Sequence, residues 1–241
     1  HALEDMAPLS CDTVVINSVA QYFPDSAYLS SVLKRASELV SDGGHIFIGD
    51  VRSRDHLDAF HTLTTLNQAP GHIDAVELAS RIDRRAQQEG ELVLSEAFFH
   101  ALARDMPRVT HVGIALKPGK ADNEMNAFRY DVTLHIGAAP RKTVQLPPAS
   151  RLETLDAIRD ALSAGPPVLL LQDLPNARLA AVYATRSSMT ERAGLTADEI
   201  RKAMAGFERV GIDPAALINL HPDYTVDLVW ARSGDPARFD A

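Results

Sequence analysis

The feature that most constrains this chain is a short apolar run, Val14-Val15-Ile16, which breaks at once into Asn17 and Ser18. A helical pattern and a second such run follow. Short apolar runs bounded by polar residues read as buried strands. Between the two, "DSAYLSSVLKRASELV" sets Leu29, Val32, Leu33, Ala36, Leu39 and Val40 at spacings of three and four, one face of a helix. The next residues, "SDGG", are expected to stop that helix at a glycine. The second run, "HIFIGD", ends in Asp50. Strand, helix and strand form a βαβ unit, so the strands should be parallel with a right-handed crossover. Asn17 and Asp50 then share the carboxyl edge of the sheet, where open α/β sheets build ligand sites.

The pattern from Leu57 to Gln88 is helical, with a break at "APGH". Ser95 is a candidate N-cap for "EAFFHALARDM", and Pro107 lies just beyond its end. "THVGIALKPG" and "AFRYDVTLHIG" predict a hairpin. In the second, Phe128, Tyr130, Val132, Leu134 and Ile136 alternate with Arg129, Asp131, Thr133 and His135, the signature of a half-buried strand. If the first strand runs parallel to the earlier pair, the hairpin loop joins Asn17 and Asp50 at one edge. Proline-rich "GAAPRKTVQLPPAS" is the best linker candidate, which divides the chain into 1–139 and 140–241. Beyond it the sequence predicts a helix in "RLETLDAIRDALSAG", a buried strand in "PVLLLQD" and a helix in "ARLAAVYATRSSM". Thr196 and Glu199 suggest a capping box, Asp213-Pro214 starts a short helix, and "TVDLVWARS" is a closing strand.

The 241 residues are enough for one large domain or two small ones, with 46% hydrophobic and 23% charged residues, as in globular proteins. A net charge of -8 argues against nucleic acid, whose affinity rests on lysines and arginines neutralising phosphates. No apolar run approaches the roughly 20 residues of a membrane helix. With Cys11 the only cysteine, no intrachain disulfide forms, and a cytoplasmic location is expected.

Nine histidines raise the question of a metal, but none pair at three- or four-residue spacing; His56 and His61 are five apart. No metal is expected. There is no Gly-x-Ser-x-Gly elbow, and Cys11 precedes a strand rather than a helix. What remains is a set of polar groups at one sheet edge: Asn17, Ser18, Gln21, Tyr22, Asp50, Arg52, Asn123 and Glu124. Each has an ordinary explanation. Asn17 suits a strand-end turn, Asp50 a cap for a helix near Ser53, Glu124 a solvated loop and Arg129-Asp131 a cross-face pair. Their convergence on one rim favours a site without naming a reaction.

"DTVVINSVAQYFPD", "GGHIFIGDVRS" and "NEMNAFRYDV" strongly resemble the N-methyltransferase domains embedded in nonribosomal peptide synthetases, and "LPNARLA" and "VDLVWARSGDPARFD" resemble them too. The resemblance runs from about Asp12 to Asp240. It implies an α/β fold: a truncated class I S-adenosylmethionine-dependent methyltransferase (Rossmann-like) sheet with a C-terminal α+β subdomain. The family's glycine-rich cofactor turn does not occur here, so the chain is expected to be the C-terminal part of such a domain, beginning before the fourth strand and inactive alone. The parent would move a methyl group from S-adenosylmethionine to the amine of a carrier-bound aminoacyl thioester, with adenylation and carrier domains of the same synthetase as partners. By the resemblance Asn17, Tyr22 and Glu124 are the catalytic candidates, with Asn17 and Glu124 facing the amine and Tyr22 closing the pocket. Ser18, Gln21, Asp50, Arg52, Asn123, Arg129 and Tyr130 are the substrate- or cofactor-binding candidates. Met125 and Asn126 depart from the commoner residues of their signature. A non-catalytic structural or docking module, or O- or C-methylation, stays open. Truncation would expose Val14 to Ile16 on an edge, so the chain is expected to self-associate there unless a subdomain covers it.

Overall fold

The computed structural model describes residues 11–137, 146–191, 194–207 and 210–241. In chain order the elements are β1 (Cys11–Asn17), a 3-10 turn (Ala20–Tyr22), α1 (Ser26–Leu39), β2 (Val40–Arg52), α2 (Leu57–Gln68), α3 (Ala75–Gln87), α4 (Glu96–Arg104), β3 (Val109–Leu116), α5 (Glu124–Phe128) and β4 (Arg129–Ile136). Then come α6 (Leu155–Ser163), β5 (Leu174–Pro175), α7 (Ala180–Glu191), α8 (Ala197–Ala205), α9 (Pro214–Leu217), β6 (Val229–Trp230) and β7 (Arg238–Asp240). They form two compact units. The first draws on residues 1–55, 90–117 and 128–144, the second on 56–89, 118–127 and 145–241. The expected boundary between 139 and 140, and most of the linker around it, lie outside the described residues. The second unit also recruits helices from before that boundary, because α2 and α3 bury Leu66, Leu78 and Ile82 with Met189 and Ile200 of α7 and α8.

The first unit is a four-stranded sheet in the order β1-β2-β4-β3. As expected, β1 and β2 are parallel, with Asn17 opposite Gly49. Strand β4 is antiparallel to both β2 and β3, so β3 runs parallel to the first pair. The carboxyl ends of β1, β2 and β3 therefore meet at one edge. This mixed α/β sheet fits the truncated Rossmann-like sheet. Helix α1 starts at Asp25, whose carboxylate accepts the Tyr28 N–H at 2.7 Å. Its predicted apolar face is buried: Leu29, Leu33 and Ala36 pack with Phe99 of α4 on Ile16, Ile46, Val132 and Leu134. The alternation in β4 also holds, with Tyr130, Val132, Leu134 and Ile136 all at or below 1% exposure.

Two expectations need correction. The glycines of "SDGG" do not stop α1. The helix ends on Val40, which is already extended (φ -79°, ψ 131°) and begins β2 opposite Cys11. Both glycines lie inside β2: Gly43 takes a left-handed backbone, φ +86°, and Gly44 lets the strand run close to β1. A Cβ on Gly44 would come within 2.3 Å of the Asp12 carbonyl oxygen. Nor is "PVLLLQD" a buried strand. Its backbone groups bond to Ser150 and to the distant Ala241, and the ladder with β7 begins only with the next two residues, Leu174–Pro175.

The second unit carries the three-stranded sheet β5-β7-β6 and the remaining helices. The capping box at Thr196 and Glu199 is present, and Asp213 caps α9 ahead of Pro214. The closing strand is shorter than "TVDLVWARS" suggests, holding only Val229 and Trp230.

Candidate functional site

The carboxyl edge of the first sheet is where the chain breaks its own regularity. Strand β1 ends at Asn17, and Ser18 takes a left-handed backbone, φ 56°, while its N–H donates to the Gly49 carbonyl at 3.2 Å. One strand over, the β2–β4 register slips between Ile48 and Val51, and Asp50 within the slip is also left-handed, at φ 61°. A bulge of this kind leaves one residue outside the ladder and re-aims its side chain. The Asp50 N–H accordingly donates to the Asp131 carboxylate at 2.9 Å instead of to the β4 backbone.

The two left-handed residues are joined to each other. The Ser18 hydroxyl donates to the Asp50 carboxylate in a short hydrogen bond. Lys117, the first residue after β3, lies 2.8 Å from the same carboxylate and 2.9 Å from that of Asp131. Burial disfavours ionised Asp50, but the hydrogen bonds from Lys117 and Ser18, with the charges of Lys117 and Arg129, hold its carboxyl below the usual carboxylate range. The opposing effects on Lys117 run likewise: burial lowers its pKa, and Asp50 and Asp131 more than reverse it, so the ammonium stays charged above the normal lysine range. Left-handed backbone on a residue other than glycine costs of order 1–3 kcal/mol and persists only where surroundings enforce it. Here the enforcement is the serine–aspartate–lysine–aspartate network.

Only some of the candidate residues meet at this rim. In the first unit, Gln21 is 5% exposed; its Nε2 donates to the Ser18 carbonyl at 3.1 Å, while its buried Oε1 has no hydrogen-bond partner among the described residues. Asn17 is exposed, with its Oδ1 2.0 Å from where a Cβ on Gly49 would lie, so this side chain needs the glycine beside it. Tyr22 is 70% exposed and closes nothing in this conformation. Arg52 is buried, its guanidinium 2.9 Å from the Glu91 carboxylate. Asp50 is no helix cap, since α2 starts only at Leu57 with His56 at its N-cap. Tyr130 is wholly buried, and its hydroxyl donates to the Leu94 carbonyl at 2.9 Å, a place in the core and not on a rim.

Asn123 and Glu124 belong to the second unit, both exposed, Asn123 immediately before α5 and Glu124 its first residue. Asn123 Oδ1 accepts the Asn126 N–H at 3.0 Å, so this residue caps the short helix. The structure therefore assembles Ser18, Gln21, Asp50 and Arg129 with two residues that sequence reasoning left out of the site, Lys117 and Asp131. Lys117 was within reach: it is the first polar residue after an apolar strand, the same reasoning that singles out Asn17 and Asp50.

No protein-family model matches the chain. It is 36% identical over 239 residues to chondramide synthase of Chondromyces crocatus, covering 95% of this chain and 6% of that protein. It is 38% identical over 126 residues to a nonribosomal peptide synthetase of Penicillium thymicola, covering 52% of this chain and 4% of the other. The likeness is to nonribosomal peptide synthetases. The chain spans less than a tenth of the length of these curated relatives. Among solved structures, a SAM-dependent methyltransferase of Methanosarcina mazei aligns at 13% identity and a TM-score of 0.33, over 56% of this chain and 63% of that one. A score so low is too weak to carry a functional inference. Among the described residues, no helix is long and apolar enough to cross a membrane.

Proposed function

We propose that this nonribosomal peptide synthetase-like segment is the acceptor-side part of an N-methyltransferase domain, whose parent methylates the amine of a carrier-bound aminoacyl thioester. The observation that supports the reading is the charge-locked rim at the carboxyl edge: left-handed Ser18, just past β1, is hydrogen-bonded to left-handed Asp50 in the β2 bulge, which Lys117 and Asp131 hold. S-adenosylmethionine supplies the methyl group to such an enzyme. The residues present do not make a full cradle for it: β1, β2 and β3 lead into Asn17-Ser18, Ser53-Arg54 and Lys117-Pro118, and none of these is a glycine-rich turn opening a helix.

The chain's own contribution is to the nucleophile. An amine attacks only when neutral and aligned, and alignment alone is worth several kcal/mol. In the first unit Asn17 offers an amide oxygen suited to orienting an amine N–H, and in the second Glu124, exposed and carboxylate-bearing, is the group we assign to take a proton. Gln21 Oε1, buried and without a hydrogen-bond partner among the described residues, is a second acceptor suited to an N–H donor. In the intact synthetase, Asn17→Ala and Glu124→Gln should each lower methyl transfer to the carrier-bound aminoacyl group by roughly 100-fold, read as loss of the methyl-shifted product by mass spectrometry. Undiminished methylation by both variants would end this assignment. The 241-residue chain by itself should show no calorimetric S-adenosylmethionine binding, and micromolar affinity would overturn the incomplete-cradle reading.

A further inference from the structure

The loop that carries Asn123 and Glu124 is short of apolar anchors: residues 121–125 are all exposed. Yet it closes on itself in one defined way. The Asn126 Nδ2 group donates to the Ala121 carbonyl at 2.7 Å, and Asn126 packs so tightly on Gly119 that a Cβ there would lie 2.3 Å from its Oδ1. Both ends of this loop terminate on one side chain. Arg178 donates from one terminal nitrogen to the Gly119 carbonyl at 2.6 Å and from the other to the Asn126 carbonyl at 3.0 Å. Its Nε donates to the Asp213 carboxylate at 2.9 Å, and the side chain is only 6% exposed. Asp213 is itself fixed, because the same oxygen accepts the Ala215 N–H at the start of α9. Asn176 Oδ1 accepts the Arg178 N–H at 3.0 Å, which holds the arginine backbone in turn.

We propose that Arg178 is a positioning residue: a guanidinium clamp that pins both ends of the loop 119–126 and thereby sets the direction of Glu124. This rests on the reading of Glu124 as the residue that takes the amine proton. A planar fork with five donors can reach two carbonyls and a carboxylate at once, whereas a lysine ammonium on a flexible stem cannot keep that geometry. The clamp grips the loop only through backbone carbonyls. The exposed side chain of Met125, between the grips, is not what Arg178 holds.

The test uses Arg178→Lys and Asp213→Asn. The second keeps an oxygen to cap α9 but removes the charge that orients the guanidinium. In the 241-residue chain, Arg178→Lys should raise amide exchange across residues 119–127 at least tenfold, with α2, α3 and α8 of the same unit unchanged, and Asp213→Asn should do so more weakly. Unchanged loop exchange, or a rise shared by the whole unit, would overturn the clamp. In the intact synthetase, Arg178→Lys should depress kcat for methyl transfer with little change in KM. A loss of methyl transfer without loop loosening would refute the proposal. A loosened loop with full activity in Glu124→Gln would instead overturn the role of Glu124 and leave the clamp standing.

Discussion

Glu96 offers the sharpest energetic prediction. It is the first residue of α4, where the helix dipole favours a negative charge by about 0.3–1 kcal/mol. Ser95 precedes it at the N-cap without a side-chain capping bond, so Glu96 has no competitor for the first turn. The structure nevertheless pushes its pKa up from 4.5 to about 7, first by burial and then by the charge of Asp55. Its Oε1 is buried without a hydrogen-bond partner among the described residues. Burial therefore outweighs the dipole. For an acid raised in this way the sign is unfavourable: nothing is lost below pH 4.5, the cost of ionising the folded state grows as pH rises, and it is complete above about 7. At full burial the gap would be worth about 3 kcal/mol, and partial exposure reduces it to about 1–2 kcal/mol. Glu96→Gln keeps the shape and removes the charge. Amide exchange in β4 of the variant, measured against the natural chain at the same pH, should be nearly equal at about pH 3.5, below the unfolded value, and slower by about 5- to 30-fold at pH 8. Faster exchange in the variant at pH 8, or an effect of one size at both pH values, would refute the reasoning by showing that the carboxylate is welcome at the helix start.

The rim and the sheet edge give three further outcomes. Gly49→Ala would put a Cβ 2.0 Å from Asn17 Oδ1 and 2.8 Å from the Phe47 ring, so it should cost about 1–3 kcal/mol in urea unfolding and displace the Asn17 amide resonances. Lys117→Met leaves Asp50 and Asp131 without their shared cation and should destabilise the chain by about 2 kcal/mol at pH 7. Because the Asp50 pKa is lowered in the folded state, the lysine-dependent stability is present above the usual carboxylate value of 3.8 and fades on acidification, so the two unfolding curves should converge below it. Among the described residues strand β1 pairs only with β2, and it exposes Val15 at 63%, so the chain should dimerise in sedimentation experiments as concentration rises, and Val15→Lys should abolish this; a monomer at every concentration, with rapid amide exchange along 12–18, would count against it.

How much of the fold was readable in the sequence depended on whether the deciding partner was near along the chain. The βαβ unit and the hairpin were legible because period 3.6 in α1 and period 2 in β4 are local patterns, and each matches the buried face found. The end of α1 was not, because "SDGG" suits an irregularity in the β1–β2 register as well as it would a helix stop, and only the pairing of Val40 with Cys11 decides. "PVLLLQD" misled for the same reason: its hydrogen-bonding partners sit at Ser150 and Ala241. The alternation that buries Val132 and Leu134 places Tyr130 on the same face, and a motif match cannot move it to a rim.

The rim itself was half legible. Polar residues at the ends of apolar strands announced Asn17, Ser18 and Asp50, and the same rule reaches Lys117. What no single-strand pattern could supply was the bulge between Ile48 and Val51, since it exists only in the pairing of β2 with β4. Yet the bulge turns Asp50 from a strand residue into the acceptor of both Ser18 and Lys117. Sequences that fold well agree with themselves at every level, and the exceptions concentrate where function demands them. Ser18 and Asp50 are left-handed without being glycine, half-buried to buried, charged or polar, and tied to one another across two strands. A sheet edge that only had to end could have used glycine at both positions and avoided the strain. That it spends a lysine and two aspartates to hold a serine in place is the physical reason to look for the chemistry there.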